Sequence, residues 1–337
     1  MFYWLLLGIT ALPYLVFPVV FAGKSPPNTE MVRQAILFLA NAHIAITLFF
    51  YYDLRFRSVR AQNPFRYTFL PIVVVMLAGA SYSLVPPPLE PLWWVVYVGW
   101  QNWHFGKQTF GIYALVAVDQ SSRRMTQVER WVLYASIICG AIGGLWLATP
   151  ANAEWHAMSL EARKWCGYGT LALLIIGSLW IAREPVPLKQ KAFFLVSIAF
   201  FAPQYLFSTV DLGFTPYSVA HSLQYMFIMT IVAFNAKGPE RTDGFDAGLI
   251  TAVVFFAIVL FGGAIITIRG EFGDLTTAWF GSQRLGRFVT GAMFGLVIAH
   301  YIVDAHAWRL RDLPQREFVM SRMKFLGRTG SRLVPAE

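Results

Sequence analysis

Apolar residues run in long blocks along this chain, and most polar residues between them gather in short clusters. Ten blocks stand out, at about 3–22, 32–51, 67–85, 92–118, 129–149, 166–182, 191–210, 217–235, 247–268 and 288–308. A helix needs about 20 predominantly apolar residues to cross a bilayer. None of the blocks shows the two-residue alternation of a transmembrane strand. The pattern predicts an all-α fold, a polytopic membrane helix bundle of about ten transmembrane helices. Residues 1–308 form the bundle, and 309–337 form a basic amphipathic tail. The first block lacks a basic n-region and contains Pro13 and Pro18, so it is expected to be a retained span and not a signal peptide.

Composition agrees with the pattern. The chain is 57% hydrophobic and 13% charged, whereas soluble domains carry about 25% charged residues. Most of the 27 Lys and Arg residues fall on one side of the predicted bundle. That side takes Arg55, Arg57, Arg60 and Arg66, then Arg123, Arg124 and Arg130, then Arg183, Lys189 and Lys191, then Lys237 and Arg241, and the tail from Arg309 to Arg332. The positive-inside rule then places both termini in the cytoplasm. The expected location is the cell membrane, the inner membrane in a bacterium. The net charge of +9 is accounted for by topology and anionic lipid, and no nucleic-acid partner is implied. The bilayer is the expected partner, and the tail offers a possible docking site for a partner protein.

Three further stretches carry expectations. Residues 153–165 suggest a short interfacial helix on the outer surface, with His156 solvated. Residues 269–287 suggest an outer loop whose Phe272, Trp279 and Phe280 suit the interfacial aromatic belt. Cys139 and Cys166 fall in different spans. They are expected to be small apolar core residues, with no disulfide framework implied.

Candidate chemistry centres on residues 100–113, WQNWHFGKQTFGIY. Gln101, Asn102, His104, Lys107 and Gln108 are costly groups at the depth this stretch is expected to occupy, and intramembrane polar clusters mark functional sites. Three other spans also present a histidine with a polar companion. His43 shares a face with Thr47; His221 with Gln224, beside Tyr225; His300 with Asp304. His306 lies nearer the cytoplasmic end. Span 7 adds Pro203-Gln204, where the proline should kink the helix. Trp100, Trp103, Phe105 and Phe110 flank His104 and suggest an apolar cavity for a lipophilic small molecule.

Neutral imidazole is the commonest protein ligand for transition metals. The expectation is a metal-dependent oxidoreductase with a transition metal, iron first, held by His43, His104, His221 and His300 near the midplane. Asp304, Gln108 and Gln224 would orient those ligands or take one coordination position. The competing readings are a proton- or ion-coupled transporter using the same His/Asp/Lys set, and a haem- or pigment-binding subunit. Lys107 is expected to pair with Asp304 or Asp211, or to lose its proton through desolvation.

The run Trp103-His104-Phe105-Gly106 resembles the H-F-G segment of the bacterial membrane carotene-cleaving dioxygenases related to bacteriorhodopsin biogenesis. The resemblance implies a multi-helix protein with one non-haem iron held by histidines from several spans, and it carries over His104 alone. That family's P-H-G-x-x-D type segment is replaced around His43 by Ala40-Asn41-Ala42-His43-Ile44. The clustered histidine boxes of membrane desaturases and alkane hydroxylases are absent.

Overall fold

A computed structural model describes residues 2–21, 26–121, 123–150, 155–235 and 245–323. Helices account for all regular structure among them. In hydrocarbon every backbone N–H and C=O must be bonded within the protein, and a helix does this with its own residues. In chain order the helices are α1 (Phe2–Phe21), α2 (Pro26–Ile46), α3 (Phe49–Tyr52), α4 (Leu54–Gln62), α5 (Leu70–Leu84) and α6 (Glu90–Ser121). Next come α7 (Gln127–Gly143), α8 (His156–Arg183), α9 (Leu188–Ile198), α10 (Ala202–Leu206), α11 (Val210–Gly213) and α12 (Thr215–Phe234). The series ends with α13 (Phe245–Ala257), α14 (Gly263–Thr267), α15 (Arg269–Phe280), α16 (Gln283–Ala307) and α17 (Leu313–Arg322).

Among the described residues, 8 helices are long and apolar enough to cross a membrane. The two other blocks marked in the sequence differ for physical reasons. Helix α6 has 32 residues, but its polar run dilutes its apolar character. The block at 191–210 is broken where α9 passes through a 3₁₀ turn, Ala199–Phe201, into α10 with Pro203 in its first turn. The break exposes carbonyls, and Arg163 of α8 caps them. Its guanidinium donates to the carbonyls of Gln204 at 2.6 Å, Phe207 at 2.7 Å and Tyr205 at 3.3 Å. The guanidinium also stacks 4.7 Å from the Trp146 ring.

The described residues gather into two compact units. One holds α1, the start of α2, and Pro91–Gln224; the other holds Val32–Glu90 and the residues from Tyr225 onward. In the first, α7 packs on α8, and α9 packs on both. Its core includes Phe105, Phe200, Phe201 and Tyr217. Residues 153–154 lie outside the described residues. From His156 the chain forms one continuous helix, α8, with no separate interfacial helix. His156 is half-buried and its Nδ1 lies 3.1 Å from the Thr149 hydroxyl, so the expectation of a solvated residue is corrected.

In the second unit α5 and α16 share the most extensive helix contact. Glycine makes this approach possible. A Cβ on Gly291 would sit 2.6 Å from the Ala78 carbonyl, and one on Gly295 would sit 2.7 Å from the Val75 Cα. Such small-residue seams hold membrane helices together by close packing. At about 100° per residue, His300 and Asp304 fall on the side of α16 opposite these glycines. The expected loop at 269–287 is largely helix α15, which ends at Gly281 in the left-handed conformation, φ 64°.

Helix α17 docks against α4 and places Phe318 against Phe50 and Phe56. Arg322 donates to Asp53 at 2.6 Å, with side chains only 4% and 5% exposed. Asp53 also accepts from the backbone N–H groups of Arg55 and Phe56, capping α4. Up to Met323, then, the tail packs against protein through Phe318 and Arg322. The tail's remaining basic residues, Lys324, Arg328 and Arg332, lie outside the described residues, as do Lys237 and Arg241.

Candidate metal centre

Within the second unit, His43, Thr47, Tyr225, His300 and Asp304 form one buried cluster. Helix α2 delivers His43, then ends at Ile46. A tight turn follows, with the Thr47 N–H on the Ile44 carbonyl at 3.2 Å and the Leu48 N–H on the Ala45 carbonyl at 2.9 Å. The opposite face of α2 is fixed by small residues: a Cβ on Gly262 would lie 2.7 Å from the Ala45 Cβ, and one on Gly263 would lie 3.1 Å from Ala42. The His43 and His300 rings meet edge to face at 5.0 Å, and Tyr225 lies 5.9 Å and 5.4 Å from them.

The hydrogen bonds of the cluster set imidazole orientation. His43 Nδ1 bonds the Ala40 carbonyl one turn back. A carbonyl only accepts, so Nδ1 carries the proton and Nε2 carries the lone pair of a ligand. His300 Nδ1 bonds the Thr47 hydroxyl, which lies 3.1 Å from the Tyr225 hydroxyl. Metal-ligating histidines are usually oriented in this way through their second nitrogen. The Asp304 carboxylate lies near the side chains of Tyr225 and Trp308.

Within the first unit, the His104 and His221 rings lie 4.9 Å apart, and Phe105 covers His221 at 4.2 Å. Gln108 and Gln224 brace the main chain here. The Gln108 amide donates to the His221 carbonyl at 3.0 Å and to Gln224 Oε1 at 3.2 Å; Gln224 donates to the Thr10 hydroxyl at 2.7 Å. These two amides therefore hold helices α6, α12 and α1 together, in place of the contact with imidazole nitrogen expected from their spacing. Asn102 belongs to a separate polar layer. The Tyr217 hydroxyl lies 3.2 Å from both Asn102 Oδ1 and Gln204 Oε1, and Gln204 Nε2 donates to the Gly140 carbonyl at 3.0 Å.

Helix α12 runs unbroken through His221 and Tyr225, which are one turn apart and share a face. His43, His221 and His300, all buried, offer ligand nitrogens that lie within 4.8 Å of one another. These three histidines could hold a metal ion. Three neutral imidazoles suit zinc, copper, iron or nickel better than the oxygen-preferring calcium and magnesium.

The remaining residues expected at the site take other places. His104 is not one of the three; its ring lies against that of His221. Asp304 lies one turn from His300, near Tyr225 and Trp308. His306 Nδ1 bonds the Ile302 carbonyl at 2.7 Å, and its ring faces Tyr67. Lys107 donates to the Tyr134 hydroxyl at 2.8 Å and lies over the Tyr134 and Phe110 rings at 4.5 Å and 4.8 Å. Its expected carboxylate partner is thus replaced by aromatic faces. The expected aromatic cavity does not form from all four residues: Trp100 and Trp103 are exposed on the protein surface, while Phe105 packs on His221. Thr47 and Ala40 are the positioning groups that the sequence did not assign to these nitrogens. Comparison with protein-family models, curated proteins and solved structures finds no match.

Proposed function

We propose that this membrane protein is a metal-dependent oxidoreductase of the oxygenase type, acting on a lipophilic substrate drawn from the bilayer. The observation behind this reading is the buried trio His43, His221 and His300, with ligand nitrogens within 4.8 Å of one another. Buried polar groups inside membrane helices are costly, and one metal ion could take a nitrogen from each of these three imidazoles. Iron is the metal we favour. The donor set fits it, and the resemblance around His104-Phe105-Gly106 points the same way.

A metal held by three neutral imidazoles keeps coordination positions open and supplies redox chemistry with oxygen. The chain's own part is to fix the ligands and exclude water. Ala40 and Thr47 orient two imidazoles. Phe105 covers His221, and the His104 ring lies against that of His221.

The test is elemental analysis of the full chain, purified in detergent without chelator, alongside His43→Ala, His221→Ala and His300→Ala. The reading expects stoichiometric iron in the unsubstituted protein and background iron in each variant. Well-folded protein with no stoichiometric transition metal, before or after anaerobic incubation with ferrous iron, overturns it. A Soret band would replace it with a haem protein, and gradient-driven uptake by metal-free protein would replace it with a transporter.

A further inference from the structure

The chain has 2 cysteines. Cys139 lies on α7 and Cys166 on α8, two helices that pack closely within the first unit. Both are free thiols, half-buried, and they face each other across the seam between the two helices.

The seam between the helices is built around this pair. Each cysteine faces a glycine of the other helix. A Cβ on Gly169 of α8 would lie 3.3 Å from the Cys139 sulfur, and a Cβ on Gly143 of α7 would lie 3.0 Å from the Cys166 Cβ. Each glycine is one turn beyond its own helix's cysteine, so the two backbones approach closely at the level of the thiols. Thr170 adds a fixed point. Its hydroxyl donates to the Cys166 carbonyl at 2.9 Å and also contacts the Cys139 thiol. The Tyr205 ring fills the remaining space, 2.6 Å from where a Gly143 Cβ would stand.

We propose that Cys139 and Cys166 are a reversible dithiol–disulfide pair that, when oxidised, locks α7 to α8 within the apolar layer. Disulfide formation needs sulfurs brought together on close backbones, and the glycine seam supplies that approach. In the step, two S–H bonds break and one S–S bond forms. The pair gives up two protons and two electrons to a two-electron acceptor such as a lipid-phase quinone, which becomes the quinol. A dithiol reverses it by thiol–disulfide exchange. The crosslink lies beside Tyr205, the neighbour of Gln204, so it would stiffen the layer in which α10 is held. This site is independent of the histidine cluster and of the function proposed for it.

The experiment uses the full chain in detergent, with diamide as oxidant (itself reduced to the hydrazine), followed by unfolding and maleimide labelling. Untreated protein should take a maleimide on each cysteine. Oxidised protein should take none, remain monomeric, and have an intact mass lower by two hydrogens; dithiothreitol should restore both labels. Proximity in the fold should make the reaction at least about tenfold faster than in chain unfolded by SDS before oxidation. Cys139→Ser and Cys166→Ser should each keep their single label after the same treatment. The proposal is overturned if both thiols of the oxidised protein still label, if crosslinking gives only dimers, or if the SDS-unfolded chain reacts as fast as the folded one.

Discussion

Two buried polar clusters, one in each unit, look alike in composition and differ in kind. The layer of Asn102, Gln204 and Tyr217 is built from amides and a phenol that bond one another and a backbone carbonyl. The cluster of His43, Thr47, Tyr225 and His300 is built around imidazoles whose Nδ1 atoms are held by Ala40 and Thr47. The first arrangement ties helices together, as polar side chains commonly do in membranes. The second fixes imidazole rings in the way a metal site does. Polar residues in a span therefore mark cost, and the donor type and its orientation separate glue from chemistry.

This contrast can be broken by experiment, starting with the largest effect. His300→Ala should reduce bound metal from stoichiometric to background while the protein stays folded, as read by elemental analysis and size-exclusion profile. Retention of full metal would place the site elsewhere. Thr47→Val keeps shape and removes the hydroxyl on His300, so metal affinity should fall about 10–100-fold, measured by competition with a chelator. Asn102→Leu should do the reverse: it should cost about 1–3 kcal/mol of stability by leaving its buried partners short of a bond, with metal content unchanged. Lys107→Met should have the smallest effect, a loss of about 0.5–1 kcal/mol from the aromatic contacts in a thermal-shift assay. A loss of metal in either of the last two variants would merge the clusters that we separate.

Much of this could be read from the chain. Helices follow from apolar runs too long for anything else in a membrane, and the break at Pro203 follows from its missing N–H. The histidines drew attention because each is expensive where it stands, and His43, His221 and His300 do converge. What stayed hidden depends on partners distant in sequence. Spacing showed Gln108 on the face of His104, but the amide turns to the carbonyl of His221, 113 residues on. Lys107 was expected to seek a carboxylate, yet Tyr134 on the adjoining helix satisfies it. Cys139 and Cys166 sit in separate blocks, and only the packing of α7 on α8 brings them to face each other. Residues 153–165 suggested a separate interfacial helix, but α8 simply begins, at His156, before the apolar run does.

The Asp53–Arg322 pair sets an order of events during synthesis. Asp53 sits at the head of α4, and its partner follows 269 residues later. At about 5–20 residues per second, the carboxylate waits roughly 15–50 seconds for its guanidinium. For most of that interval the second unit lacks α16, and until its end it lacks α17; a buried charge missing its partner costs about 3–5 kcal/mol. The pocket around Asp53 therefore closes only after α17 has been made. A nascent chain stalled before Arg322 would present Asp53 open to water and to the machinery that disposes of incomplete membrane proteins.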